Sequence, residues 1–193
     1  MTRGKSVILQ GRLVWSVFAF ALVASGSTVA AQERAGVMGE LLQDVAALET
    51  KIVGLANAMP PTAHKWRPGP GVRSTEEVLL HVAGDNYFMP ALMGVPAPAD
   101  TGIDGKDNKT VGTFERRQLT REQLVAELTK SFAFLKDAMR KTADATLEAP
   151  PPNSVRKTTT RATWIATVTH LHEHLGQLIA YARSNNVTPP WSK

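Results

Sequence analysis

The chain has 193 residues, with 22 Lys and Arg against 17 Asp and Glu, and it contains no cysteine. The lack of cysteine excludes disulfides, thiolate nucleophiles, cysteine-held zinc or iron–sulfur clusters and c-type haem attachment. No cluster of basic residues with interleaved aromatics occurs, so nucleic acid is not a predicted partner.

The N-terminus is typical of a secretory signal peptide. Arg3, Lys5 and Arg12 precede an apolar run over residues 13–24, which is shorter than the ~20 residues of a membrane-spanning helix. Small residues follow, and we expect cleavage after Ala31, although an uncleaved membrane anchor is the alternative. The pattern predicts a signal peptide at 1–31, a single domain at 32–193, and a periplasmic or secreted protein that does not bind membranes after cleavage. Without the leader, 19 basic residues face 17 acidic ones, which is an ordinary balance.

Two helices are predicted in the first half of that domain. Apolar residues recur every three or four positions from about Glu33 to Met59, which is the helical period. The second helix is predicted from about Thr75 to Met93. Ser74 and Glu77, three residues apart, are typical of a capping box at its start.

Two further helices follow a long polar connection, which runs from Gly94 to Leu119. The third begins at another capping box, Thr120 to Gln123, and a proline run at 150–152 marks the next break. The fourth starts near Thr160 and ends at Asn185–Asn186. Four amphipathic helices without strand-like alternation predict an all-α four-helix bundle, and the long connection leaves its topology open.

Histidines are the candidate functional residues. His170 and His174 are four positions apart, so their side chains share one edge of the apolar stripe of the fourth helix, as two ligands of one metal ion require. His81, on the second helix, is the candidate third ligand, although a lone histidine there is also compatible with a hydrogen-bonded core residue. His172 is on the opposite edge and His64 is in a loop, so neither is predicted to bind metal.

Carboxylates next to His81 could assist such a metal. Asp85 lies four residues after His81 and Glu77 four residues before it, on the same helix face. Each could accept a hydrogen bond from the other imidazole nitrogen, act as a fourth ligand, or act as a base on a water molecule at the metal. Asp85 is the one candidate catalytic residue.

Two motifs resemble the DinB/YfiT-like superfamily. They are THLHEHLGQ at residues 169–177 and RSTEEVLLHV at residues 73–82, preceded by a Trp-Arg-Pro loop at 66–68. The resemblance covers nearly all of the predicted mature chain. It implies a four-helix bundle that binds a divalent metal, commonly zinc or nickel, through His81, His170 and His174, often as a homodimer. We also expect Gly176 to allow close helix approach and Gln177 to hydrogen-bond near the site.

The sequence departs from the family pattern in two places. Leu175 stands where the family usually has Arg, and His172 is additional. Neither change removes a ligand, but both argue against transferring a specific activity. Some members of the superfamily resemble transferases or isomerases that act with a low-molecular-weight thiol. Export would argue against that activity, since such thiols are mainly cytosolic.

Three functions remain open at this stage. The first is a metal-dependent hydrolase or transferase acting on an unknown small molecule, with Asp85 as a candidate base. The second is a non-catalytic metal-binding or stress-related bundle. The third is a metal-free bundle that binds an apolar ligand. A water-accessible cleft beside the 94–119 connection would favour the enzyme, whereas a fourth protein ligand without a cleft would favour the second function.

Overall fold

The computed structural model describes residue 1 and residues 36–192. The predicted signal peptide, its cleavage after Ala31 and the first residues of the predicted first helix lie outside these described residues. The described part is all-helical, and no strand occurs within it. Its helices are α1 (Val37–Ala58), α2 (Pro61–His64), α3 (Thr75–Leu92), α4 (Lys109–Phe114), α5 (Arg121–Lys141) and α6 (Thr160–Ser184), with 3-10 turns at Ala99–Thr101, Asp144–Thr146 and Pro190–Ser192.

The predicted helix boundaries are set by local chemistry. Ser74 and Thr120 form reciprocal capping boxes with Glu77 and Gln123, which confirms both predicted starts. At the end of α6, Asn186 takes a left-handed conformation with φ 58°, which asparagine tolerates better than most residues.

The connections contain more structure than the sequence predicted. The polar segment 94–119 holds a 3-10 turn and the helix α4, and the loop after α1 holds α2. Both helices are short, with six and four residues, and two turns or fewer do not produce a detectable apolar period.

The four long helices share one core. Helix α3 packs against α5 and α6, and α1 packs against the same two helices. Trp164 is fully buried, and its indole N–H donates to the Thr142 hydroxyl at 3.2 Å. No helix in the described part of the chain has both the length and the apolar character that a membrane span requires. The largest fully buried side chains of this core include Leu48, Ile52, Leu79, Leu128, Phe132 and Leu135.

Two loops are fixed against the end of α3. A Cβ atom on Gly105 would lie 2.3 Å from the carbonyl carbon of Ala91, so this position accepts no side chain unless the backbone moves. Asn153 donates from its backbone N–H to the Leu92 carbonyl at 3.1 Å and from its side chain to the Ala91 carbonyl at 2.8 Å. The residues around 105 and 153 are therefore both held against the same helix end.

Candidate metal centre

Three imidazoles meet between α3 and α6. The Nε2 atom of His170 lies 3.2 Å from that of His81 and 3.1 Å from that of His174. The spacing of four residues places His170 and His174 on one face of α6, and α3 carries His81 against them. The three candidate ligand atoms lie within 4.8 Å of one another. The structure thus brings together the three histidines that the sequence selected.

These distances are compatible with one bound ion. Two nitrogens each about 2.0–2.1 Å from a metal are about 3.0 Å apart at a right angle and about 3.4 Å apart at a tetrahedral angle. The Nε2 separations of 3.1 and 3.2 Å fall between these values. The two separations from His170 therefore match those expected at zinc and similar divalent ions.

The outer nitrogens of the imidazoles face hydrogen-bond acceptors. His81 Nδ1 donates to Glu115 Oε1 at 2.7 Å, and His174 Nδ1 donates to Gln177 Oε1 at 2.9 Å. His170 Nδ1 lies 3.6 Å from the Glu173 carboxylate. With the proton on Nδ1, each neutral ring directs its Nε2 lone pair toward the common centre. In that tautomer the three Nε2 atoms need a shared cation, which is either a metal ion or a proton on His170 Nε2, the atom that faces Asp85 Oδ2 at 2.8 Å.

A chain of hydrogen bonds links the two sides of the cluster. The Arg73 guanidinium donates to both oxygens of Glu115, at 3.0 and 3.2 Å. The Tyr181 hydroxyl donates to the Arg73 carbonyl at 3.1 Å and accepts from Gln177 Nε2 at 2.9 Å. Since Glu115 and Gln177 accept from two of the imidazoles, these side chains orient both rings. The expected hydrogen bond from Gln177 near the site is confirmed.

Asp85 lies on the metal-facing side of the imidazoles. Its Oδ2 is 2.8 Å from His170 Nε2 and 3.3 Å from His81 Nε2. It therefore does not accept from the outer nitrogens, which was one of its three suggested roles. The other two roles suggested for Asp85, as a fourth metal ligand or as a base beside the metal, are both compatible with this geometry.

The remaining candidates lie elsewhere. Glu77 accepts from the Ser74 backbone N–H and pairs with Arg67, which corrects the suggestion that it assists His81. His172 is exposed on α6 and lies 2.8 Å from Asp44. His64 is buried in α2, with Nε2 facing the Ala56 carbonyl, rather than in a loop. Neither histidine belongs to the cluster of three.

Comparison with known families agrees with this arrangement. The model of the DinB superfamily matches residues 46–178, which is 133 of the 193 residues. The chain belongs to the DinB superfamily. No curated protein matches it.

The matched region of this DinB-superfamily chain includes all three clustered histidines, and also Asp85 and Glu115. Glu115 and Arg73 were not among the site residues predicted from the sequence. Glu115 directly follows α4 and is 34 residues from His81, so no spacing within a helix relates the two. The position of Glu115 within the long polar connection was the one available signal, since such segments often carry function.

Burial and neighbouring charges act differently on the site residues. Burial lowers the pKa of His174, which favours the neutral, ligating form. The hydrogen bond to Asp85 raises the pKa of His170. Burial alone would raise the pKa of Glu115, but hydrogen bonds from His81 and Arg73 bring it below its usual value. Glu115 is therefore ionised at neutral pH and adds negative charge beside the three imidazoles.

One side of the cluster is open. The side chain of His170 is 31% exposed, against 13% for His81, so solvent reaches the centre past His170. Next to it, a cavity of about 450 Å³ lies between α3 and α6. None of the three histidines lines this cavity, which reaches Ala166, one helical turn from His170 on α6, and Met89, about two turns from His81 on α3.

Proposed function

We propose that this DinB-superfamily protein is an exported four-helix bundle that binds one divalent ion, zinc or nickel, through His81, His170 and His174. We further propose that it uses the ion for hydrolysis or group transfer on a small molecule. The convergence of three Nε2 atoms, with two of the rings held from their outer nitrogens, supports metal binding most directly. A divalent ion would supply Lewis acidity, which polarises substrate oxygen atoms and lowers the pKa of water.

The side chains around the proposed metal site have different roles. Glu115 and Gln177 hold two imidazoles in the ligating tautomer. Asp85 Oδ2, beside His170 and His81, is placed to accept a proton from a reactant at the centre. The exposed flank of His170 admits the substrate. The adjacent cavity, walled in part by residues 105–108 of the 94–119 connection, favours an enzyme over a purely structural metal site.

A non-catalytic role has one observation in its favour. The Asp85 carboxylate is close enough to the imidazoles to serve as a fourth ligand, which would close the coordination shell. The ion would then join α3 to α6 without activating a substrate. Asp85→Asn separates the two roles: loss of turnover with retained metal supports the base, whereas loss of metal itself supports the closed site.

The first experiment measures metal content. The protein without residues 1–31 is purified untagged and analysed by elemental mass spectrometry, beside His170→Ala/His174→Ala and the control His172→Ala. We expect about one equivalent of a divalent metal in the parent and the control, and none in the double variant. A parent without metal, or a double variant that keeps it, would refute the metal site.

Activity, export and assembly have separate tests. Metal-loaded protein is assayed on a panel of small esters and amides, and no turnover beyond that of Asp85→Asn would argue for the non-catalytic role. The full chain is expressed in a Gram-negative host, where mass spectrometry should find Gln32 at the N-terminus of periplasmic protein. Light scattering during gel filtration tests the proposed homodimer.

A further inference from the structure

The cavity beside the metal centre is formed by two helices and two loops. Its floor is apolar, and its walls come from residues 105–108 and from residues of the 153–158 segment. Both loops are fixed to the end of α3 by the close approach of Gly105 and the two hydrogen bonds of Asn153. The apolar floor consists of Phe88, Met89, Leu92, Ala162 and Ala166.

The cavity lies next to the metal centre, one helical turn from Asp85 on α3 and from His170 on α6. Asp85 contacts His170, while Met89 and Ala166, one turn away on each helix, line the same cavity. The helices α3 and α6 are therefore antiparallel here. The groove between them runs from the histidines to Leu92. Seven residues of α3 separate Asp85 from Leu92, which is about 10 Å at 1.5 Å per residue. A ligand reaching from the centre to the far end of the cavity has an apolar part of about eight atoms.

The outer rim of the cavity is cationic. Lys106 and Arg156 line it, and neither forms an ion pair within residues 36–192. The carboxylate that also lines the cavity, Asp107, accepts a hydrogen bond from the Lys109 backbone N–H at 3.0 Å. Val155, at the same rim, is fully exposed although it is apolar. This combination fits an apolar molecule that carries a negative charge at one end.

We propose that this cavity binds a small organic anion whose apolar body lies on the α3–α6 floor and whose anionic group meets Lys106 and Arg156. The proposal rests on the proposed function in one respect, because it assigns a substrate class to the same centre. The other end of the ligand lies toward Asp85 and the histidines, where a reacting ester or amide group would reach the metal site.

Binding of octanoate to the metal-loaded protein tests the proposal. Octan-1-ol and octylammonium are the comparison ligands, since they share its eight-carbon chain but carry a neutral and a positively charged head group. Amide chemical shifts in ¹H–¹⁵N spectra give both the affinity and the location. We expect octanoate to bind most tightly and to shift residues 105–108 and 153–158. Lys106→Gln/Arg156→Gln should weaken octanoate binding about fivefold to tenfold, since each exposed charge pair contributes only modestly to binding. The control Lys109→Gln/Lys157→Gln removes equal charge from neighbouring positions that do not line the cavity.

Failure of the anion cavity and failure of the metal site give different results in these experiments. Equal binding of octanoate and octylammonium, or equal affinity in the two double variants, would overturn it. Octanoate that shifts mainly the histidine region and dissociates on chelation binds at the metal, which also overturns it. If the parent contains no metal but octanoate still binds at the rim, the metal function fails and the anion cavity stands.

Discussion

Replacing Glu115 is expected to weaken zinc binding, by about tenfold for Glu115→Gln and by up to about 100-fold for Glu115→Ala. Glu115 Oε1 accepts from His81 Nδ1 at 2.7 Å, and the two side chains are only 15% and 13% exposed. A charged hydrogen bond of this kind contributes about 1.5–3 kcal/mol. Each loss of about 1.4 kcal/mol raises the dissociation constant tenfold. Glutamine keeps an acceptor oxygen but loses the charge, whereas alanine also releases the orientation of the ring.

Competition with a fluorescent zinc chelator at pH 7.5 measures the dissociation constant of each variant. Glu127→Gln is a matched control, because Glu127 is also 15% exposed and accepts from Tyr87 and Arg117 away from the cluster. Its zinc affinity should equal that of the parent. If Glu115→Ala binds zinc within threefold of the parent, the argument that Glu115 fixes His81 for metal binding is wrong.

Two further predictions concern stability. Gly105→Ala should lower the free energy of unfolding by more than 1 kcal/mol, because its Cβ would meet the α3 backbone. Gly176→Ala, with open space around it, should raise the free energy of unfolding by up to about 1 kcal/mol. Urea denaturation measures both changes, and equal effects of the two variants would contradict the packing described for Gly105. Burial lowers the pKa of His64 below its unfolded value of about 6.5, so the unfolded chain takes up the proton first. The free energy of unfolding of the metal-free protein should therefore be unaffected by this group above about pH 6.5. As the pH falls from there to the folded-state pKa of His64, it should decrease by at most about 1.4 kcal/mol per pH unit. Denaturation at pH 7.5 and 5.5 should give a smaller difference for His64→Gln than for the parent, and an equal difference would refute this assignment.

The long helices were predictable because their signals are local. The capping boxes at Ser74 and Thr120 each depend on residues three positions apart, and the pairing of His170 with His174 depends on one helical turn. His81 was selected as a partner by its place on another apolar helix and by family resemblance. The structure places these three rings close together, and their role as metal ligands stays a prediction.

Tertiary contacts account for what was missed. Glu115 reaches His81 because the short helix α4 packs against α3, and a six-residue helix is too short to predict its own placement. The expectation for Gly176 was wrong: nothing lies within 4 Å of a Cβ built there, so it does not mediate helix contact. Sequence periodicity identifies the residues that share a helix face, but it does not identify which loop will cover that face.

The ligands of the proposed metal site come from distant parts of the chain, since 89 residues separate His81 from His170. An unfolded chain would offer an ion only local histidines such as those at 170–174, and binding by all three ligands would require α3 and α6 to dock first. Metal uptake would then be a late event, stabilising the folded state by mass action rather than nucleating it. If the protein crosses a membrane unfolded, the ion it carries is chosen in the compartment where it folds. The metal recovered from the native protein would then report which ions that compartment makes available.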